Sequence, residues 1–228
     1  MATAAARTAE ATMNWNKAST PGMHVNVQLL KRGEVNGRLT MDFRVKVTNA
    51  PKDARYKLTI WPVTVALPYT AMDGLAIRND GVVYCPEDSQ GSCAQKIKGN
   101  ELHLTYQPTL GEIFRQALVS DDGKSKIFFS FVPTPIIEKQ NNCSLEAVRL
   151  SPSFELALIR GKGFTPGEDV SFHTQSYQEA HNVTVKADSD GAFEVSITPA
   201  VKGRTSGTIE VVARGKSCAP TMAFNWGL

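Results

Sequence analysis

Four cysteines are the residues whose spacing most clearly allows chemistry in this 228-residue chain. Cys85 and Cys93 bracket a polar, turn-rich loop (86–92), whereas Cys143 and Cys218 lie near the two ends of the last third of the chain. Four cysteines can pair in three ways. Pairing by locality predicts Cys85–Cys93 and Cys143–Cys218, and the second bridge closes a loop of ~75 residues, for which the loop-entropy model gives roughly 4.5 kcal/mol. Four separate buried thiols are the alternative.

Metal ligands are the next possibility. His173 and His181 are separated by seven intervening residues, including Glu179, but this spacing matches no compact zinc motif, and no C-x-x-C pair accompanies it. Asp188-Ser189-Asp190-Gly191 begins like a calcium loop, yet its twelfth position is Pro199 where a bidentate Glu is required. The sequence therefore predicts no metal site, and we expect a hairpin turn at 188–191.

Catalytic motifs give no positive signal. Gly215-Lys216-Ser217 ends like a phosphate-binding loop, but Glu210 occupies the place of its first glycine. No G-x-S-x-G nucleophile elbow is present. If the N-terminal part carried an activity, Glu101, His103 and Glu112 would be the suspects. We therefore expect a protein that is not an enzyme and needs no cofactor.

Aromatic residues could instead bind a ligand. Trp15, Trp61, Tyr69 and Tyr84 are candidates for a flat platform that would hold a sugar or a peptide, because Tyr69 and Tyr84 fall in an irregular region where binding loops occur. The alternative is that these rings fill cores or seal strand ends. The platform hypothesis corresponds to a carbohydrate-binding module or an accessory protein of a secreted hydrolase.

The elements that must position these residues are short strands. Leu39 to Val47 alternates apolar and polar residues with a period of two, and Met23 to Leu30 and Tyr56 to Trp61 do so more loosely. We expect a turn over Gly33 to Gly37 and a short helix or a loop over Thr70 to Ile77.

Two tight turns are predicted in the segment that follows, between residues 79 and 132. Asp121-Asp122-Gly123 separates Ile113–Val119 from Lys126–Val132, which predicts a hairpin, with a helix over Glu112–Leu118 as the competing interpretation. Asn79-Asp80-Gly81 predicts a second tight turn.

Composition changes suggest two β domains. We predict a flexible N-terminal extension (1–13), a β-rich domain (14–135), a polar linker (136–143) and a second domain (144–228). The second domain has seven strand candidates at the spacing of a β-sandwich. They are Leu145–Leu150, Glu155–Arg160, Asp169–Gln175, Asn182–Lys186, Phe193–Thr198, Thr208–Ala213 and Thr221–Trp226.

Two segments of the second domain carry a resemblance. Gly161-Lys162-Gly163-Phe164-Thr165-Pro166-Gly167-Glu168 resembles the G-x-G-F-x-P-G-E segment of bacterial extracytoplasmic immunoglobulin-like modules, including the IPT/TIG-like group. Asp188 to Phe193 resembles their D-x-D-G-x-F hairpin. The resemblance covers roughly residues 145–228 and implies an immunoglobulin-like sandwich of about seven strands. The whole chain also resembles uncharacterised secreted proteins of soil-type bacteria. Such modules serve adhesion, spacing and ligand binding alike, so no single function follows.

Charge and hydropathy limit the partners and the compartment. The net charge is +3, with lysines and arginines scattered, which argues against nucleic-acid binding. No apolar stretch reaches the ~18 residues of a transmembrane helix. Met1 to Met13 lacks the apolar centre of a signal peptide, which fits either a cytosolic protein or the mature form of an exported one. The predicted disulfides favour the second, so we expect a mature secreted or periplasmic protein. The function we expect is adhesion or interaction with another protein or a cell-envelope component, with a glycan as the alternative ligand.

Overall fold

The computed structural model describes residues 19–227, and within them the chain is almost entirely β. The described part contains sixteen strands and one five-residue helix, which confirms the all-β prediction. It divides into two compact units, which we call the N-terminal unit (19–109 and 114–133) and the C-terminal unit (110–113 and 134–227). No helix among residues 19–227 is long and apolar enough to cross a membrane. Trp15 and the predicted extension (1–13) lie outside the described residues.

The N-terminal unit consists of two antiparallel sheets. Three strands form one sheet in the order β1-β2-β6, and five form the other in the order β5-β4-β3-β7-β8. The elements are β1 (His24–Val35), β2 (Arg38–Thr48), β3 (Tyr56–Trp61), β4 (Tyr69–Ile77), β5 (Val83–Tyr84), α1 (Cys93–Ile97), β6 (His103–Tyr106), β7 (Phe114–Ser120) and β8 (Lys126–Phe131).

The core of this unit follows the alternation in β2. Met41, Phe43, Val45 and Val47 are buried, while the residues between them face outward. Each fully buried side chain of this size contributes about 1.5–3 kcal/mol through the hydrophobic effect. These side chains pack against buried residues of β3, β4, β6, β7 and β8.

Three local predictions fall in this unit: the turn at 33–37, the segment 70–77 and the hairpin after Ile113. The turn predicted over Gly33 to Gly37 begins too early, because β1 and β2 pair as far as Val35 and Arg38 and only Asn36 and Gly37 form the turn. Both have positive φ angles of 51° and 74°, as a two-residue hairpin turn requires.

The prediction of a short helix or a loop over Thr70 to Ile77 is wrong. These residues belong to β4, which pairs with β3, and Leu75, Ala76 and Ile77 at its end are buried. Pairing within a sandwich core therefore outweighs the weak local preference of this segment. The predicted hairpin after Ile113 is confirmed as β7 and β8, so the helical alternative over Glu112–Leu118 is not adopted.

The C-terminal unit is a sandwich of two four-stranded antiparallel sheets, ordered β14-β11-β10-β9 and β13-β12-β15-β16. Its strands are β9 (Ile136–Gln140), β10 (Cys143–Arg149), β11 (Ala157–Lys162), β12 (Asp169–Ser176), β13 (Glu179–Lys186), β14 (Phe193–Ile197), β15 (Ser206–Arg214) and β16 (Thr221–Gly227). Strands β10 to β16 overlap the seven predicted ones. The first, second and fifth of these share one sheet, and the other four share the second sheet, which is an immunoglobulin-like arrangement.

The prediction of a linker at 136–143 is wrong. Residues 136–140 form β9, which pairs with β10 through a two-residue turn at Asn141 and Asn142. Ile136 packs against the core, whereas the polar residues after it are exposed on an edge strand. A polar segment can form an edge strand when neither of its faces is buried. Such a strand lacks the alternation of apolar residues from which strands are predicted.

Both predicted cysteine pairs are present as disulfides, and no described cysteine is free. The Cα atoms lie 5.7 Å apart in Cys85–Cys93 and 6.2 Å apart in Cys143–Cys218, within the usual range. Cys143 is the first residue of β10 in one sheet, and Cys218 lies three residues before β16, a strand of the other sheet. The second bridge therefore joins the two sheets of the C-terminal unit.

Candidate functional site

A cleft with a volume of about 430 Å³ lies in the N-terminal unit, and we call it the charged cleft. One wall comes from β3 and the residue before it, and the opposite wall is the loop between the two cysteines, residues 86–92, which we call the clamp loop. The lining residues are Arg55, Lys57, Asp73, Gly74, Asp88, Ser89, Gln90, Gly91 and Asp121.

The clamp loop packs against β4 backbone to backbone. Gly74 has φ of +78°, and a Cβ atom there would lie 2.9 Å from the Cα atom of Gly91. A Cβ atom on Gly91 would in turn lie 2.7 Å from the carbonyl carbon of Asp73. Only glycine fits at either position, because such separations are shorter than carbon–carbon contacts allow.

Hydrogen bonds fix the loop in this place. The Ser89 hydroxyl donates to the carbonyl oxygen of Gly74 at 3.0 Å. The backbone N–H of Asp73 donates to the Ser92 hydroxyl at 3.0 Å, and the backbone N–H of Ser92 donates to the Asp73 carboxylate. The Cys85–Cys93 bridge closes the base of the loop. The cleft wall is therefore held by covalent and polar contacts together.

The bonds from Ser92 also affect the charge of the cleft. The side chain and then the backbone of Ser92 lower the pKa of Asp73 below its ordinary value, against a smaller opposing effect of burial. Hydrogen bonds to the ionised form favour that form. Asp73 therefore stays negatively charged over the physiological pH range.

Two exposed ion pairs lie across the cleft. Arg55 contacts Asp88 at 3.3 Å, and Lys57 contacts Asp121 at 3.7 Å. With Asp73, the cleft holds three carboxylates and two cationic groups, a net charge of −1. Exposed pairs of this kind contribute little to stability, so their charged ends can exchange partners with a bound molecule.

The three residues suspected of catalysis from the sequence, Glu101, His103 and Glu112, make other contacts in the structure. Glu101 accepts one bond from Arg44 at 2.9 Å and another from Arg78 at 3.0 Å, one on each carboxylate oxygen. His103 lies 3.8 Å from the same carboxylate. Glu112 belongs to the C-terminal unit, where its backbone bridges to Arg149. The Glu101 carboxylate thus serves an ion-pair cluster.

The histidine and aspartate motifs of the C-terminal unit are also structural. His173 stands opposite Asn182, and His181 stands opposite Thr174, which is one position along β12. Neighbouring residues of a strand point to opposite faces, so the two histidines do not share a face. Asp188 accepts hydrogen bonds from the backbone of Asp190 and of Ala192, which is turn geometry. Among residues 19–227, no group of three or more possible ligands could hold a metal ion.

The described candidate aromatic residues do not share a surface. Trp61 pairs with Arg115, whose guanidinium lies 4.6 Å from the ring centroid. Tyr69 pairs with Ile60, the neighbour of Trp61, and so belongs to the other face of the sheet. Tyr84 pairs with Ala76 at the far end of β4, with Arg78 over its ring at 5.1 Å. This arrangement offers Trp61, Tyr69 and Tyr84 no common platform.

Sequence reasoning missed the charged cleft. Its charges come from four separate segments, and single aspartates and lysines are common on any surface. One local signal was present: glycine occurs at position 74 within an otherwise strand-like run and again at 91 between the cysteines. A glycine inside a strand pattern often marks a close backbone approach.

No family model and no curated protein matches this chain.

Proposed function

We propose that this chain is a non-enzymatic, secreted or periplasmic protein that acts by binding another protein or a component of the cell envelope. The observation that carries the proposal is the charged cleft, whose wall is a loop fixed by a disulfide and by backbone contacts. Binding to a surface that is already ordered costs less conformational entropy than binding to a flexible loop. Alternating charges on such a surface select partners by electrostatic complementarity.

The C-terminal unit supports the same proposal through its fold. Gly163 has φ of +81°, and Phe164 after it is 3% exposed in the core. These features are compatible with the G-x-G-F-x-P-G-E segment, and they support the proposal that this unit is an IPT/TIG-like module. Modules of this type serve adhesion, spacing and ligand binding alike, so the resemblance is compatible with the proposed binding role but does not select it.

The cysteines support the compartment named in this proposal. Both bridges close between buried sulfurs, and disulfides persist in oxidising compartments. A clamp loop that depends on Cys85–Cys93 would be of little use in a reducing cytosol.

The test is a binding experiment with the purified chain and envelope fractions of the source cells. The double variant Arg55→Glu/Lys57→Glu reverses both cationic charges of the cleft and leaves its backbone unchanged. We expect it to bind at least about tenfold more weakly, because like-charge contacts across an interface are unfavourable. Binding of the unaltered chain should weaken as salt is raised.

A matched control makes the result specific. Lys31 and Arg38 are exposed residues of the β1–β2 hairpin in the same unit and do not line the cleft. Lys31→Glu/Arg38→Glu changes the total charge equally and should bind as the unaltered chain does. Equal binding by all three proteins would overturn the role of the cleft.

A further inference from the structure

An open sheet has two edge strands whose outward backbone groups are unpaired, and proteins usually protect them. Most edges in the described part of this chain are short or interrupted. β5, β6, β9 and β14 have five residues or fewer. β1 has a bulge between Leu29 and Lys31, followed by two adjacent basic residues.

The remaining edges differ. Ser19 and Thr20 cover β8 through bonds to Phe128 and Lys126. β16 approaches β9 at one side, and the N–H of Gly227 at its end donates to the carbonyl of Ser153. β13 is less protected among the described residues: it approaches β14 of the other sheet without pairing with it, is eight residues long, contains no proline and pairs with β12 without a bulge.

β13 is exposed on both of its faces. Seven of its eight residues are exposed, including Val183 at 49%. Val183 and Val185 stand opposite the buried Phe172 and Val170 of β12, so they continue the apolar face of the sheet beyond the core. A further strand beside β13 would cover this apolar extension.

The hairpin defines which backbone groups of β13 are available. Ser176 and Glu179 close a two-residue turn, and Tyr177 in that turn has φ of 52°. The closing pair of such a hairpin is hydrogen-bonded, and hydrogen-bonded pairs alternate along an antiparallel ladder. The N–H and C=O groups of Ala180, Asn182 and Thr184 therefore point away from β12.

We propose that β13 pairs antiparallel with β13 of a second copy of this chain, with the twofold axis at Val183. The pairing joins two four-stranded sheets into one of eight strands. Asn182 then forms a hydrogen-bonded pair with the partner's Thr184, and Val183 faces the partner's Val183 in the closer, non-hydrogen-bonded position. This inference does not depend on the charged cleft or on the function proposed for it.

Charge selects this orientation. β13 begins with Glu179 and ends with Lys186. Antiparallel pairing brings the acidic end of one copy to the basic end of the other and places no like charges opposite each other. Parallel pairing would align Glu179 with the partner's Glu179 and Lys186 with the partner's Lys186, which is unfavourable.

The interface is small, so a weak dimer is expected. A single strand from each copy lies at the low end of specific interfaces, for which a Kd on the order of tens of micromolar is reasonable. Sedimentation equilibrium from about 5 to about 500 µM covers that range. The unaltered chain should pass from monomer to dimer with rising concentration, and a monomer throughout would overturn the proposal.

Charge variants at the axis test the register. Val183→Lys and Val183→Glu each place like charges opposite each other, so each variant alone should dimerise at least about tenfold more weakly. An equimolar mixture should regain association, because lysine then faces glutamate. Association of either variant at the wild-type level, or failure of the mixture to associate, would overturn the pairing.

Val35 provides the control. It is 50% exposed at the end of another edge strand, β1. Val35→Lys and Val35→Glu should dimerise as the unaltered chain does, and loss of the dimer in these variants would also overturn the proposal. Unchanged melting temperatures will show that all four variants remain folded.

Discussion

At the scale of single residues, two glycines with similar left-handed backbone conformations allow the cost of backbone strain to be compared with the cost of a steric clash. Gly74 and Gly37 have φ angles of +78° and +74°. A Cβ atom at Gly74 would collide with the clamp loop, whereas nothing lies within 4 Å of one at Gly37. A side chain therefore meets backbone strain at both positions and a steric clash at one.

We predict that Gly74→Ala lowers the free energy of unfolding by about 2–4 kcal/mol, through left-handed strain and displacement of the loop. Gly37→Ala should cost about 1 kcal/mol, from the strain alone. Urea denaturation measures both values. Equal losses would show that the clamp loop does not pack against β4 as described.

Glu168 is the second informative residue, because a buried carboxylate holds two loops. It is 3% exposed and accepts bonds from the backbone N–H of Lys216 at 2.8 Å and of Thr165 at 2.7 Å. The bond from Lys216, and after it the bond from Thr165, lowers the pKa of Glu168 against the opposing effect of burial. Its stabilising effect is therefore complete above the unfolded pKa of about 4.3 and is lost as pH falls through the folded value.

We predict that Glu168→Gln lowers the melting temperature by several degrees at neutral pH and much less under strongly acidic conditions. Thermal melts at both pH values give the comparison. Glu210→Gln removes an exposed carboxylate from β15 and should change neither melt. A pH-independent effect of Glu168→Gln would contradict a role for the ionised form.

At the scale of elements, the two disulfides differ in what they join. Cys85–Cys93 spans eight positions and holds the clamp loop, whereas Cys143–Cys218 spans 75 and joins two sheets. The loop-entropy model gives about 2.5 kcal/mol for the short loop and about 4.5 kcal/mol for the long one. The sheet-joining bridge should therefore matter more for global stability.

We predict that the Cys143→Ala/Cys218→Ala variant lowers the melting temperature of the C-terminal unit more than Cys85→Ala/Cys93→Ala lowers that of the N-terminal unit. Hydrogen exchange read by mass spectrometry assigns each change to its unit. Equal shifts, or none, would show that the long bridge does not stabilise the sandwich.

Elements with a clear period were predictable from the sequence, and elements defined by tertiary pairing were not. β2 and the strands of the C-terminal sandwich alternate, so their faces could be read directly. β9 was missed because only Ile136 packs inward, Ile137 is exposed and the other three residues are polar. β4 was missed because its end is buried on both faces, so apolar and polar residues do not alternate there. The β1–β2 turn was placed too early, although Asn36-Gly37 is a strong hairpin signal.

At the scale of the whole molecule, the cysteine pairing was predictable because each pair was the local choice. The candidate site was not. The charged cleft assembles Arg55, Asp73, Asp88 and Asp121 from separate segments, and only the fold brings them together. Trp61, Tyr69 and Tyr84, three of the four aromatic residues in the predicted platform, have separate surroundings, in part because neighbouring strand positions alternate faces.

The proposal that unites these scales is that the protein works in an oxidising compartment, where both disulfides are closed and the charged cleft binds a partner. Non-reducing peptide mapping tests it most directly, on protein isolated from its source cells with free thiols blocked at lysis. We predict peptides linked through Cys85–Cys93 and through Cys143–Cys218, and no blocked thiol. Recovery of four blocked thiols would contradict the pairing, the compartment and the fixed clamp loop together.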